Sequence, residues 1–490
     1  MIHLFALLPA KNEIRAKRTA TCQRLIREWD MYVIKSKSLR KCFISIKGIY
    51  YQAEVMGEKI TWLVPHKFSQ ELPTDVDYKV MLTFLDFYEV LMGFVLYRLY
   101  ASLGLKYPPT IDAAKDEQGS WMYSVKTEEE KTVCILVATS GDTGKGALEG
   151  FRDVDRTRIL VFYPKDGVSA IQELQMVTQE GKNVGVCSVF GNFDDAQTGV
   201  KKLFSDEALR QELARRGYFL SSANSINWGR VLPQIVYYIS AYCDLLRDEK
   251  IQPDQAVNVC VPTGNFGNIL AAYYAREMGV PIDRLICASN SNNVLTDFIR
   301  TGRYDRNRAF HNTISPSMDI LISSNLERLL LALTQDDEQV KDYMAQLSAT
   351  GTYQVSDRVR EKLQKRFAGY FCDDAETKAV IGRIYQKYDY LIDPHTAVAF
   401  DALEQYRSET GDQTPCIVVS TASPFKFCDS VLSALGEEEK QNGLELLDEL
   451  SEKTGMPAPK PLASLRDKEI RFTQTVEKDH MVDAVLGMLE

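Results

Sequence analysis

Two short glycine-rich words hold residue types that could do chemistry. The first, ATSGDTGKGA at 138–147, follows an apolar run and opens a helical stretch. Glycines there let backbone N–H groups turn inward at the start of a helix, which makes a cradle for an anion. The same residues are equally consistent with a tight turn in which Asp142 or Thr143 caps the helix. It is not a nucleotide P-loop, because the G-x-x-x-x-G-K-[ST] spacing is not met. The second word, PTGNFGN at 262–268, repeats the arrangement between an apolar strand expected at 257–261 and a helix expected at 269–278. Gly264 and Gly267 free its backbone, so several N–H donors can converge on a phosphate without a side-chain cation. One such loop is a weak signal; two within one domain favour phosphate binding over plain turns.

Such loops need strands to present them. The run TVCILVA at 132–138 is continuously apolar, too short for a typical helix, and ends in a glycine-rich turn, which predicts a buried parallel strand. The same grammar recurs at 159–163, 184–189, 257–261 and 417–421, with helical stretches between, so 132–490 reads as an α/β domain. Ahead of it, Met81, Leu85, Tyr88, Leu91, Met92 and Leu96 recur at helical spacing. The stretch 80–103 is apolar but contains Asp86, Glu89 and Arg98, which are expensive in lipid, so it reads as a buried helix and not a span. The run 41–51 alternates partly and is rich in β-formers, and 60–65 could pair with it, giving a small, mostly helical α/β fragment. Residues 110–131 are polar and acidic without sustained periodicity, as expected of a loop or linker, with the domain boundary near 120.

The 490 residues exceed what one core usually organises, and 45% hydrophobic with 26% charged residues is ordinary for a folded soluble protein. The net charge of -9 is uneven: residues 1–120 hold 17 Lys and Arg against 13 Asp and Glu, leaving 58 − 17 = 41 against 67 − 13 = 54 for the rest. Most of the basic excess, including Arg15, Lys17, Arg18, Lys35, Lys37, Arg40 and Lys41, lies before residue 60. Such asymmetry can mark a nucleic-acid-facing segment, but charge alone favours a solvated helix face. Ten cysteines without a C-x-x-C pair and five solitary histidines support neither a disulfide framework nor a zinc site. The opening MIHLFALLPAKNE has no basic flank ahead of its apolar stretch and makes a poor secretory signal.

Two resemblances are specific. The words LRKCFISIKGIYYQAEVMGEKITWLVPHKF, PTDVDYKVMLTFLDFYEVLMGFVLYRLY and LKYPP resemble the amino-terminal region of pescadillo proteins over about 3–118. That resemblance implies a scaffold of large-ribosomal-subunit assembly in the nucleolus. The words VATSGDTGKGALEGF, VFGNFDDAQ, SSANSINWGR, VPTGNFGN, SPSMDILISSNLERLL, DPHTAVA and VSTASPFKF, in that order over about 131–490, resemble threonine synthase. This implies the tryptophan-synthase-β-like fold, fold type II, of pyridoxal-phosphate enzymes and the conversion of O-phospho-L-homoserine and water to L-threonine and phosphate.

Carried over residue by residue, the resemblance implies that Gly264, Asn265, Phe266, Gly267 and Asn268 hold the phosphate of pyridoxal 5'-phosphate, and that Ser420 or Thr421 reaches its pyridine nitrogen. A hydroxyl there leaves the ring a weaker electron sink than a carboxylate would. Ser140, Gly141, Asp142 and Thr143 would face the substrate's carboxylate or phosphate. Asn224, Asn227 and Arg230 fit either active-site framing or a polar helix start, and His395 reads as a helix-start or packing residue. The family's Schiff-base lysine sits in a G-P-T-x-A-F-K-D-type word upstream of the strand at 132. No such word occurs; the nearest imitation, LTFLDF at 82–87, has Leu85 in place of the lysine. Lys145 and Lys426 are the stand-ins to consider, although their positions read as a helix-start lysine and a post-strand lysine.

The sequence therefore predicts a pescadillo-like fragment at 1–118, a linker at 119–131 and a threonine-synthase-like module at 132–490 whose catalytic lysine is not found, with the cofactor noncovalent if held. The enzyme module implies a cytoplasmic setting; the amino-terminal fragment implies the nucleus or nucleolus and preribosomal partners. The alternative is a ribosome-biogenesis factor carrying an enzyme remnant as a passenger.

Overall fold

A computed structural model describes residues 31–35, 41–46, 49–56, 59–66, 110–115, 121–126, 131–224, 227–437 and 443–489. The chain divides into two compact units, one of residues 1–130 with 242–250 and the other of 131–241 with 251–490.

In the first unit, β1 (Met31–Lys35), β2 (Lys41–Ile46), β3 (Ile49–Met56) and β4 (Lys59–His66) form an antiparallel sheet in sequence order. The β-rich run at 41–51 is thus divided between two strands that pair with each other, and it is the second of them that pairs with 59–66. The helix expected at 80–103, with Leu85 in it, lies outside the described residues. The stretch expected to be a loop or linker instead carries β5 (Thr110–Lys115) and β6 (Trp121–Lys126), paired antiparallel with Ile111 opposite Val125 and Ala113 opposite Tyr123. The alternation of Trp121, Tyr123 and Val125 is a strand signal. Acidic neighbours at 128–130 mask it when composition is read over the whole stretch.

The second unit contains two parallel sheets. β7 (Thr132–Ala138), β8 (Thr157–Pro164), β9 (Val184–Val189) and β10 (Tyr218–Ser222) assemble in the order β10-β7-β8-β9. The helices Asp142–Phe151 and Ala170–Val177 make the crossovers between β7, β8 and β9. Because helices cover this sheet, its strands are continuous apolar runs rather than alternating ones: Leu136, Val137, Ile159 and Val161 are fully buried. Asn183 closes the turn before β9, accepting from Asp153 N at 2.7 Å and donating to Phe151 O at 2.8 Å and Thr157 Oγ1 at 2.9 Å.

The other sheet joins β11 (Val257–Pro262), β12 (Ile282–Ser289), β15 (Phe367–Phe371) and β16 (Cys416–Val418) in the order β15-β12-β11-β16. A small antiparallel pair, β13 (Arg303–Asp305) and β14 (Thr352–Gln354), lies between in sequence. The helix Pro394–Thr410 lays Val398, Ala399, Ala402 and Leu403 on Cys260, Ile286 and Ala288. The last strand, β17 (Thr475–Val476), returns to the edge of the first sheet beside β9. The strand expected at 417–421 begins one residue earlier and ends at Val418. Val419 N makes one more bond to Cys260 O at 2.9 Å, after which Ser420 and Thr421 leave the ladder and are exposed. Among the described residues, no helix is long and apolar enough to cross a membrane.

Leu136 lies mid-strand between two hydrogen-bonded neighbours. Leu136→Ala should cost about 2–5 kcal/mol, whereas Ile470→Ala, at a side chain 55% exposed, should stay within about 0.5 kcal/mol. Urea denaturation of the two variants measures the difference.

Candidate functional site

The first cradle sits where β7 meets its helix. Thr139 is buried, and its Oγ1 accepts from Gly141 N at 2.9 Å and Gly144 N at 2.8 Å. Two of the N–H groups expected to face an anion are therefore already engaged. Neither Asp142 nor Thr143 caps the helix, whose N-cap is Gly141 without a side-chain bond. The N–H groups of Asp142 and Thr143 open the helix and have no intrahelical acceptor. Gly141 has φ +128, and a Cβ there would run into the Gln172 side chain, so only glycine fits. The Asp142 carboxylate accepts from Lys426 Nζ at 2.6 Å and Gln172 Nε2 at 3.1 Å. Lys145 turns away to Glu149 at 2.8 Å and Gln179 at 2.5 Å. Asn224 clamps the strand end from outside, donating to Ala138 O at 2.6 Å and accepting from Ala138 N at 3.0 Å. Asn227 accepts from Gly229 N at 2.9 Å as a helix-start cap. Arg230 donates to Ala223 O at 3.0 Å, and burial lowers its guanidinium pKa.

The second cradle follows β11 and opens the helix Gly267–Glu277. Its carbonyls are spoken for: Ser323 Oγ donates to Gly264 O at 2.8 Å, Asn325 Nδ2 to Asn265 O at 2.9 Å, and Tyr238 Oη to Asn268 O at 3.1 Å. Ser324 Oγ donates to Asn265 Oδ1 at 2.9 Å, and Tyr238 also reaches Asn268 Oδ1. Phe266 is buried with φ 59 and is an N-cap without a side-chain bond, so the N–H groups of Gly267 and Asn268 start the helix without intrahelical acceptors. A Cβ on Gly264 would lie 2.5 Å from the Ser317 carbonyl oxygen, a backbone atom that cannot swing aside.

The helix Pro394–Thr410 joins this loop to the Ser420 segment. Asp393, fully buried, caps the helix by accepting from His395 N at 2.9 Å and Thr396 N at 3.4 Å. It also accepts from the Thr396 hydroxyl and lies 2.9 Å from His395 Nδ1. Ser317 N donates to His395 Nε2 at 3.2 Å, and Thr396 Oγ1 lies 3.3 Å from Ser420 Oγ. Thr421 is exposed three residues beyond β16. Lys426, six residues after Ser420, returns to Asp142 in the first cradle. Thr139, Tyr238, Ser323, Ser324, Asn325 and Asp393 were not singled out by sequence. For the serines and Asn325 the polar word ISSN at 322–325 was the available signal; Thr139 and Tyr238 gave none.

Two glycine-turn helix starts presented by parallel strands suit the binding of anions, and comparison with known proteins gives the class: pyridoxal-phosphate-dependent enzymes of the tryptophan-synthase-β-like fold, fold type II. The family model described as pyridoxal-phosphate dependent enzyme matches 112–422, that of the threonine synthase C-terminal region 396–485, and that of the pescadillo N-terminus 1–137. The chain is 34% identical to threonine synthase of Saccharomyces cerevisiae over 372 residues, 73% of this chain and 69% of that one. It is 45% identical to human threonine synthase-like 1 over 313 residues, 62% of this chain and 42% of that one, so it spans less than half of that relative's length. Among solved structures, pyridoxal-phosphate-bound threonine synthase from Brucella melitensis superposes with TM-score 0.61 at 36% identity, covering 73% of this chain and 71% of that one. The yeast enzyme gives 0.63 at 32%, covering 81% and 73%. The chain belongs to the pyridoxal-phosphate-dependent enzymes, in the threonine synthase family, with a pescadillo amino-terminal region fused ahead. Pyridoxal phosphate is that family's cofactor.

Thr139→Val keeps the shape of this buried side chain but leaves two loop N–H groups without their acceptor. It should cost about 1–3 kcal/mol per group, while Thr139→Ser should retain most of the stability. Chemical denaturation of both variants distinguishes them.

Proposed function

We propose that residues 132–490 hold pyridoxal 5'-phosphate through 264–268 and recognise O-phospho-L-homoserine, with turnover to L-threonine and phosphate impaired for want of the catalytic lysine. What carries the reading is the second cradle: its carbonyls are held by Ser323, Asn325 and Tyr238, its helix start has no side-chain cap, and the turn at 316–318 stands so close to Gly264 that no Cβ fits there. These residues suit a phosphate, which backbone N–H groups and the positive end of a helix dipole stabilise.

When bound, the cofactor supplies an electron sink for carbanions formed next to an amino group. The chain's own residues then have separable tasks. Gly264, Asn265, Phe266, Gly267 and Asn268 fix the phosphate. Ser420, or Thr421, meets the pyridine nitrogen from beyond the strand end. Ser140, Gly141, Asp142 and Thr143 meet the substrate's carboxylate or phosphate. The negative charge of Asp142 would repel such an anion, and its ion pair with Lys426 at 2.6 Å offsets that. The same pairing speaks against Lys426 as a replacement nucleophile, since its Nζ is already committed to Asp142; Lys145 is likewise paired with Glu149.

The domain limits that go with this reading are 1–118, 119–131 and 132–490, the last being the cofactor-binding module. A second reading rests on the pescadillo match at 1–137: a ribosome-biogenesis role with preribosomal partners, nucleolar in location, in which the enzyme module is a passenger. A cytoplasmic distribution of the tagged full chain would favour the first reading, and nucleolar retention the second.

The purified chain should bind pyridoxal phosphate saturably, release it on dialysis and yield it to excess inorganic phosphate. Borohydride reduction followed by mass mapping should find no stoichiometrically modified lysine. A single modified lysine at 145 or 426 would restore a covalent enzyme, and failure to bind at all would remove the cofactor-binding reading.

A further inference from the structure

The buried pair of Asp393 and His395 has no part in the roles assigned above, yet it reaches the wall of the phosphate loop. His395 is 2% exposed and Asp393 is 0% exposed, too enclosed for either to meet a substrate in this conformation. Asp393 Oδ1 lies 2.9 Å from His395 Nδ1, and Ser317 N donates to the other ring nitrogen at 3.2 Å. The two contacts fix the tautomer. Nε2 must be the unprotonated acceptor for Ser317 N–H, so the ring proton sits on Nδ1 and is donated to the carboxylate. Phe427, whose ring meets the imidazole edge to face at 5.1 Å, helps to hold the ring plane.

Ser317 belongs to the short turn Pro316–Met318, and its carbonyl oxygen is the atom a Cβ at Gly264 would strike at 2.5 Å. The same segment continues to Ser323, Ser324 and Asn325, which take the oxygens of Gly264 and Asn265. The position of the Ser317 peptide therefore decides how closely this wall stands against the loop. We propose that His395, oriented by Asp393, is a positioning residue that holds the Ser317 peptide against Gly264 and so fixes the loop 264–268 in its phosphate-accepting shape. Its relevance to the cofactor rests on the reading of 264–268 as the phosphate loop; the positioning itself does not require any ligand to bind.

The test is hydrogen–deuterium exchange on the full chain without ligand, comparing the parent with His395→Leu and His395→Gln. Both variants remove the ring and its packing on Phe427, but only glutamine offers Ser317 N–H an acceptor at similar reach. Exchange at 263–268 and 316–319 should rise about tenfold in His395→Leu, as for loss of one buried hydrogen bond, and fall back most of the way in His395→Gln. Exchange at Thr132–Ala138, on the other sheet, serves as the control. Equal exchange at the loop in all three proteins would overturn the proposal. So would an equal rise in both variants, or a rise that the control strand shares, because each means that His395 contributes only bulk packing. Pyridoxal phosphate binding by the parent, measured separately by equilibrium dialysis, tests the cofactor reading and leaves the exchange result interpretable either way.

Discussion

A carboxylate at full burial constrains everything around it. Asp393 has no access to solvent, and an ionised oxygen removed from water is tolerated only where donors replace its hydration. Four arrive from one turn of chain: the N–H groups of His395 and Thr396, the Thr396 hydroxyl and the His395 ring. The carboxylate also faces the amino end of the 17-residue helix Pro394–Thr410, where the helix dipole favours negative charge. That helix packs on β11 and β12, so its starting point is referenced to the strand that delivers the second cradle. Through Thr396 the same group approaches Ser420, and through His395 it reaches Ser317. Elements far apart in sequence thus take their positions from one desolvated charge.

The two cradles look alike in sequence and solve their hydrogen-bond accounting differently. In the first, a buried hydroxyl from the strand end takes two of the loop's N–H groups, so the turn is largely satisfied from within. In the second, side chains from elsewhere take the carbonyls and no side chain caps the helix start. An anion adds most where donors are uncommitted, since a buried N–H that already has its bond gains little from a second partner. This contrast gives the second loop the stronger claim on a phosphate, and it leaves the first suited to a ligand recognised by fewer backbone donors together with side chains.

Much of this was legible in the residues because the physics is local. Strands buried on both faces have no reason to alternate, so TVCILVA at 132–138 and VGVCSV at 184–189 could be read at their observed limits. The glycines at 264 and 267 announced a turn before a helix. Where the deciding partner is remote, sequence was silent: Ser323 and Asn325 meet the loop from about 60 positions away, and β17 pairs with β9 across nearly three hundred residues. The end of β16 was misjudged because Ser420 and Thr421 follow an apolar run, and the ladder stops when its last neighbour, Cys260, is used. β6 was missed because composition was averaged over a stretch in which Trp121, Tyr123 and Val125 form only one part.

The lysines sharpen what this module can do. A lysine serves as a nucleophile only where its amine is free to reach the electrophile. Lys426 is placed close to a loop read as substrate-facing, which would make it an attractive replacement if position alone counted. Its Nζ is instead committed to Asp142, while its backbone carbonyl accepts from Ser169 Oγ at 2.7 Å and its N–H donates to Ser423 O at 3.1 Å. Moving the amine to a cofactor would break the ion pair and leave Asp142 without its cation. On the reading proposed above, Lys426 keeps the first loop receptive to negative charge, a task compatible with binding and distinct from catalysis.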